Sequence, residues 1–158
     1  MAEHVNAVLD PVPEWVPLDS VPAPAVDRGD LERRAAELGL PAVRWPEPFP
    51  FDSGVAALAA TFAKQSGRVV AFTLAAMRQA FAAGRELGDV DNVLLAAAAC
   101  ELHPRAVLKG IESRGVAQAL SDANGAAAAQ GVSVVPAIVN EGGVVQGLDC
   151  LALLTEST

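Results

Sequence analysis

The chain has 158 residues, of which 52% are apolar, and its formal net charge at pH 7 is −8. This length suffices for one domain with a hydrophobic core. The acidic balance argues against a nucleic-acid partner, because affinity for phosphates rests on clustered Lys and Arg. Charged residues cut every apolar run below the roughly 18 residues of a membrane span, so no membrane association is predicted. The first residues lack the pattern of a secretory signal, and we expect a cytoplasmic location.

Prolines dominate the first twenty-five residues, at Pro11, Pro13, Pro17, Pro22 and Pro24. Because proline cannot donate a backbone hydrogen bond, this density excludes a long helix and allows at most a short strand around residues 14–16. Residues 1–26 are therefore predicted to form an extended N-terminal segment.

Four predicted helices follow the N-terminal segment. The spacing of Leu31, Ala35 and Leu38 predicts a helix that begins near Asp30 and ends at Gly39. Ala- and Leu-rich segments bounded by Gly, Asp or Pro then predict a helical block whose members cover residues 54–67, 69–84 and 89–103.

A further helix is predicted to begin near Pro104, to pause around residues 110–115 and to continue to Gly131. Gly125 lies inside it, and a glycine within a helix costs roughly 1 kcal/mol relative to alanine. We therefore expect a bend or a close contact at Gly125.

Strands are predicted only after these helices. Val135–Asn140 and Val144–Gln146 flank a Gly-containing turn and predict a β-hairpin, and a short helix over residues 148–156 follows. Pro136 is awkward inside a strand unless it marks the first residue or a break. One hairpin is little sheet for so many helices, which indicates that a partner strand is missing.

The two cysteines, Cys100 and Cys150, form no disulfide framework and no C-x-x-C motif. Cys100 and His103 could together offer only two ligands, whereas a metal site needs three or four, so no metal site is predicted. Cys100 is interpreted as a small apolar residue in an Ala-rich face. Cys150 has two interpretations, a reactive thiol at a helix start or a core residue, and burial statistics favour the core.

Aromatic residues lie between prolines in the loop that precedes the helical block, at Trp45, Phe49 and Phe51. They could wall a cleft for an aromatic ligand or attach the loop to the helices, and the second role is commoner. Arg33 and Arg34 are interpreted as a solvated helix face.

Residues 131–151, GVSVVPAIVNEGGVVQGLDCL, resemble the closing half of the thioredoxin fold, in which a cis-proline opens a core strand. The likeness is to the DsbA-like superfamily, in the branch of 2-hydroxychromene-2-carboxylate isomerases and kappa-class glutathione transferases. Residues 30–63 and 72–102 are similar to its proline-rich loop and inserted helices. The resemblance implies an α/β, thioredoxin-like fold as a single domain, with a helical subdomain over about 30–115 and the thioredoxin half over 116–158.

The same resemblance implies a binding site for glutathione or another low-molecular-weight thiol at the cis-proline loop. Val135 would offer its backbone to an extended thiol peptide, next to Pro136. Gly147, Leu148 and Asp149 would complete the groove, with Asp149 against the charged amine of the ligand or as a helix cap. In the family an arginine follows this aspartate, where the chain has Cys150.

The family's first strand and helix, which carry the nucleophile, are not found in the sequence. Either residues 2–10 align with the tail of that helix, or residues 5–12 align with the strand itself. We expect a thiol-dependent isomerase or oxidoreductase acting on an electrophilic or aromatic substrate, with an N-terminal βα unit that is missing or degenerate. The alternative is a catalytically degenerate interaction module that forms a homodimer and so covers an exposed sheet edge.

Overall fold

The computed structural model describes residues 12–23, 25 and 27–150. In this part of the chain, helices precede a single two-stranded sheet. The helices are α1 (Arg28–Glu37), α2 (Gly54–Gln65), α3 (Val69–Phe81), α4 (Val90–Ala99), α5 (Pro104–Ile111) and α6 (Arg114–Ala129), and the strands are β1 (Ala137–Asn140) and β2 (Gly143–Gln146). The order of elements matches the order that the sequence predicts.

Helix α1 begins two residues earlier than predicted. The side chain of Asp27 accepts a hydrogen bond from the Asp30 backbone N–H at 3.0 Å and caps the first turn, so the helix starts at Arg28. The predicted stop is correct, since Gly39 has a φ of 67°, which favours glycine.

Helices α2 to α5 enclose the hydrophobic core. Its buried members are mostly alanines together with Phe72, Val93 and Val107. Small side chains let helix backbones approach closely. At Gly110 in α5 there is no room for a side chain, because a Cβ there would lie 2.6 Å from Cγ of Phe62 in α2. The helices of the predicted helical block therefore pack around one shared core.

The helix predicted from Pro104 to Gly131 is divided. Helix α5 ends at Ile111 and α6 starts at Arg114, in agreement with the predicted pause. The predicted close contact at Gly125 is wrong, because α6 is continuous and nothing lies within 4 Å of a Cβ built there.

Residues 12–18 are extended without strand pairing, so the short strand considered around residues 14–16 is not formed. Glu14 pairs with Lys64 of α2 at 2.8 Å, and this lysine lowers the pKa of the Glu14 carboxyl. The alignments proposed for residues 2–12 fall almost wholly outside the described residues. The helix expected over residues 148–156 also falls outside them from residue 151 onward.

The hairpin is antiparallel, with Ile138 opposite Val145 and Asn140 opposite Gly143. The Gly147 N–H donates to the Pro136 carbonyl at 2.8 Å, which extends the ladder by one pair. Hydrogen-bonded and non-hydrogen-bonded pairs alternate in antiparallel strands. Ala137 and Val139 therefore direct their N–H and C=O groups away from β2, toward the outer edge.

Candidate functional site

The candidate site lies where the hairpin begins. The Val135–Pro136 peptide bond is cis, and both residues are half-buried. The hydrogen bond from the Gly147 N–H to the Pro136 carbonyl brings the end of β2 beside them. Leu148 and Asp149 follow Gly147 directly, so all five residues proposed for the site lie at one end of the hairpin.

The side chain of Gln146 fixes the loop that leads to Pro136. Its Oε1 accepts hydrogen bonds from the Ser133 N–H at 2.9 Å and from the Val134 N–H at 3.1 Å. A third donor, the Ser133 hydroxyl, lies 3.4 Å away. Sequence reasoning missed Gln146, because a glutamine at the end of a strand carries no signal of a contact thirteen residues back.

The backbone N–H of Val135 donates to the Pro22 carbonyl at 3.1 Å. Val135 precedes β1 and is not part of the ladder, so this hydrogen bond is made outside the sheet. The N-terminal segment therefore reaches the backbone group that the resemblance assigns to a thiol ligand.

Asp149 is exposed, and its Oδ1 accepts a hydrogen bond from Nη1 of Arg34 at 2.7 Å. Nε of Arg34 also donates to Asp30 at 3.1 Å. The contact with Asp149 is the main cause that raises the pKa of Arg34, and Asp30 adds to it. The interpretation of Arg34 as part of a solvated face is therefore incomplete, because this side chain links α1 to the candidate site.

Gly147 has a φ of 95°, a conformation that favours glycine, and it turns the chain out of β2. Its carbonyl accepts a hydrogen bond from the Cys150 N–H at 3.2 Å. This turn leaves the Leu148 side chain half-buried and the Asp149 side chain exposed.

Both cysteines are buried, Cys100 with 6% of its surface exposed and Cys150 with none. Burial raises the pKa of the Cys100 thiol, which keeps it protonated at neutral pH. The favoured interpretation of each cysteine as a packed residue is confirmed.

His103 caps α5, with Nδ1 accepting a hydrogen bond from the Arg105 N–H at 3.2 Å. Among the residues that the structure describes, no group of three or more His, Cys, Asp or Glu side chains could hold a metal ion.

The aromatic residues of the proline-rich loop pack together against α3. Trp45 lies 5.0 Å from Phe49 and 6.0 Å from Phe81, measured between ring centroids. Its Nε1 donates to Glu32, and the Arg28 guanidinium lies 4.9 Å from its ring. The predicted attachment of the loop to the helices is confirmed, and a role in binding an aromatic ligand stays a prediction.

No helix in the described part of the chain is long and apolar enough to cross a membrane.

No protein-family model and no curated protein matches this sequence. A solved structure of 2-hydroxychromene-2-carboxylate isomerase is similar, with a TM-score of 0.73 and 17% sequence identity. The match covers 82% of this chain and 63% of that chain, so this chain spans less than two thirds of that protein's length. The likeness confirms the predicted helix-rich α/β fold of the thioredoxin-like, DsbA-like type.

Proposed function

We propose that this chain binds glutathione or another low-molecular-weight thiol at the cis-proline loop and belongs to a thiol-dependent isomerase or oxidoreductase. The observation that carries the proposal is the outer edge of β1, to which Ala137 and Val139 direct their N–H and C=O groups, next to the half-buried residues Val135 and Pro136. It lies on a fold shared with 2-hydroxychromene-2-carboxylate isomerase.

An extended peptide can bind such an edge as an added strand. Its main chain would exchange hydrogen bonds with Ala137 and Val139 and would take up the Val135 N–H, which donates to the Pro22 carbonyl in this structure. Gln146 holds the two preceding N–H groups, so the loop is rigid before the ligand arrives and little conformational entropy is lost on binding.

Charges at the end of the hairpin suit a zwitterionic ligand. The Asp149 carboxylate is exposed and offers an acceptor to the amine of a thiol peptide. Arg34 donates to this carboxylate at 2.7 Å, so a cation lies beside it although the chain has Cys150 where the family has an arginine. Gly147 and Leu148 precede Asp149 in the turn out of β2 and, in this proposal, also contact the bound ligand.

In this proposal the reactive thiol comes from the ligand, because both cysteines of the described chain are buried. The substrate class is an electrophilic or aromatic small molecule, and the catalytic residue is unknown. A cytoplasmic location, where low-molecular-weight thiols stay reduced, is part of the same proposal.

Calorimetric titration with glutathione tests the site. Asp149→Asn removes the charge that pairs with the ligand amine, and we expect the Kd to rise roughly tenfold, as for the loss of one charged hydrogen bond. Glu141→Gln, an equal change of charge in the exposed hairpin turn, is the matched control and should leave the Kd unchanged. Absence of binding, or equal affinity of both variants, would reject the site.

The second candidate function is a catalytically degenerate interaction module that dimerises. Two observations favour it: both cysteines are buried, and the Val135 N–H already has a partner within the chain. This alternative predicts a dimer by light scattering and no turnover of disulfide or enone substrates. A monomer with turnover would contradict it.

A further inference from the structure

Residues 19–22 form a short exposed connection that we call the strap. The strap is attached to α6 by Asn124, whose Nδ2 donates to the Asp19 carboxylate at 2.6 Å. The Asn124 Oδ1 accepts from the backbone N–H groups of Asp19 and Ser20, each at 3.3 Å. One side chain therefore holds three polar groups at the start of the strap.

At its other end the strap reaches the candidate site through the Pro22 carbonyl, which accepts the hydrogen bond from Val135. The two N–H groups before Val135 are bound by Gln146, which belongs to the hairpin itself. Val135 is thus the one residue of the 133–135 loop whose N–H is bound by a separate, exposed segment. A ligand that needs this N–H has to displace the strap.

The bond between Pro22 and Val135 has no reciprocal partner. Pro22 has no N–H, so it cannot donate a hydrogen bond to Val135 in return, whereas a residue of an added antiparallel strand can exchange two hydrogen bonds with its partner. The strap therefore makes half of the contact that an ordinary strand residue makes. A peptide ligand with both a donor and an acceptor forms the complete pair.

We infer that the strap is an autoinhibitory contact that occupies the Val135 N–H and that Asn124 is the residue that positions it. For the identity of the displacing ligand the inference rests on the proposed function, and the strap itself stands on the hydrogen bonds of Asn124 and Pro22. Glutathione competes with the strap for one backbone group, so loosening the strap strengthens binding.

Two substitutions loosen the strap in different ways. Asn124→Ala removes its attachment to α6, and we expect the Val135 amide to exchange its hydrogen about fivefold faster and glutathione to bind about three- to tenfold more tightly. Pro22→Ala keeps the acceptor carbonyl and frees the φ angle at residue 22, so both measurements should change in the same direction as in Asn124→Ala, by a smaller factor. Gln118→Ala, which breaks an exposed contact with Asp122 on the same helix, is the control and should change neither measurement.

Amide exchange by NMR and calorimetric titration with glutathione together decide the outcome. Core amides of α2 serve as a reference that reports global unfolding. Unchanged Val135 exchange in Asn124→Ala, or equal glutathione affinity in all variants, overturns the inference and leaves the proposed function standing. Binding in none of the variants rejects the proposed function and inhibition with it, while a faster Val135 exchange in Asn124→Ala would still show that Asn124 holds the strap.

Discussion

Gly110, in α5, is the position at which one added methyl group would meet the side chains of the core. A Cβ there would lie 2.6 Å from Cγ and Cδ2 of Phe62 and 3.0 Å from its Cβ. These atoms lie close to the α2 backbone and cannot swing away, as the end of a long side chain could. The glycine is therefore required by packing between α2 and α5.

We expect Gly110→Ala to lower the free energy of unfolding by about 1–2 kcal/mol, because overpacking outweighs the gain of up to about 1 kcal/mol in helix propensity. Gly125→Ala is the matched control, since nothing surrounds that position, and it should raise stability by about 0.5–1 kcal/mol. Urea denaturation measures both. Equal changes in the two variants would contradict the close contact with Phe62.

The candidate site is only partly predictable from single residues. The motif around Val135 and Pro136 placed these residues beside Gly147, since a tight hairpin brings its two ends together. The contact between Asp149 and Arg34 could not be predicted from the sequence, because the two residues lie 115 positions apart. In addition, the i,i+4 pair of Asp30 and Arg34 is typical of any solvated helix face. Long-range pairs of exposed charges leave no local pattern.

At the scale of elements, α1 differs from the other helices because it buries no residue. It is attached by polar and aromatic contacts at its surface: Arg34 to Asp149, Glu32 to the Trp45 indole, and Arg28 over the Trp45 ring. Such contacts between exposed groups contribute little each and are screened by salt.

We expect α1 to open first in native-state hydrogen exchange and α2 to open last, because local stability follows buried apolar contact. Raising the salt concentration to about 1 M, where the Debye length falls to about 3 Å, should speed exchange in α1 and leave α2 unchanged. Mass spectrometry of peptides from the two helices measures both. Protection of α1 equal to that of α2 would contradict this ranking.

The presence of each helix could be predicted from the sequence, but the contacts between the helices could not. Glycine, proline and aspartate at the ends of apolar runs indicated every helix in the described residues, because they act through local backbone chemistry. The start of α1 shifted because the nearer carboxylate, Asp27, caps it. The interior of α6 gave a wrong expectation, since the surroundings of Gly125 depend on where other elements pack.

At the scale of the whole molecule, the hydrophobic core and the candidate site are separate. The core cluster lies in α2 to α5 and the loop before α4, whereas the strands contribute no residue to it. We therefore expect helices α2 to α5 to supply most of the stability of the fold.

Two identical substitutions test this division. Val93 in α4 is fully buried, and Val93→Ala should cost roughly 2 kcal/mol for the lost methyl groups and the resulting cavity. Val139 in β1 is 45% exposed, and Val139→Ala should cost less than about 1 kcal/mol. Chemical denaturation followed by circular dichroism measures both free energies of unfolding. A larger decrease for Val139→Ala than for Val93→Ala would contradict the assignment of the main core to helices α2 to α5.

Under the proposed function, the hydrogen bond between Pro22 and Val135 has a consequence for the concentration of thiol that the site would require. A competitor tethered to the same chain does not dilute with the protein, and over a short connection its effective concentration is on the order of millimolar. A free thiol would therefore have to reach a comparable concentration before it displaced the Pro22 carbonyl from the Val135 N–H. Because the competing carbonyl belongs to the same chain, diluting the protein would leave this threshold concentration of thiol unchanged.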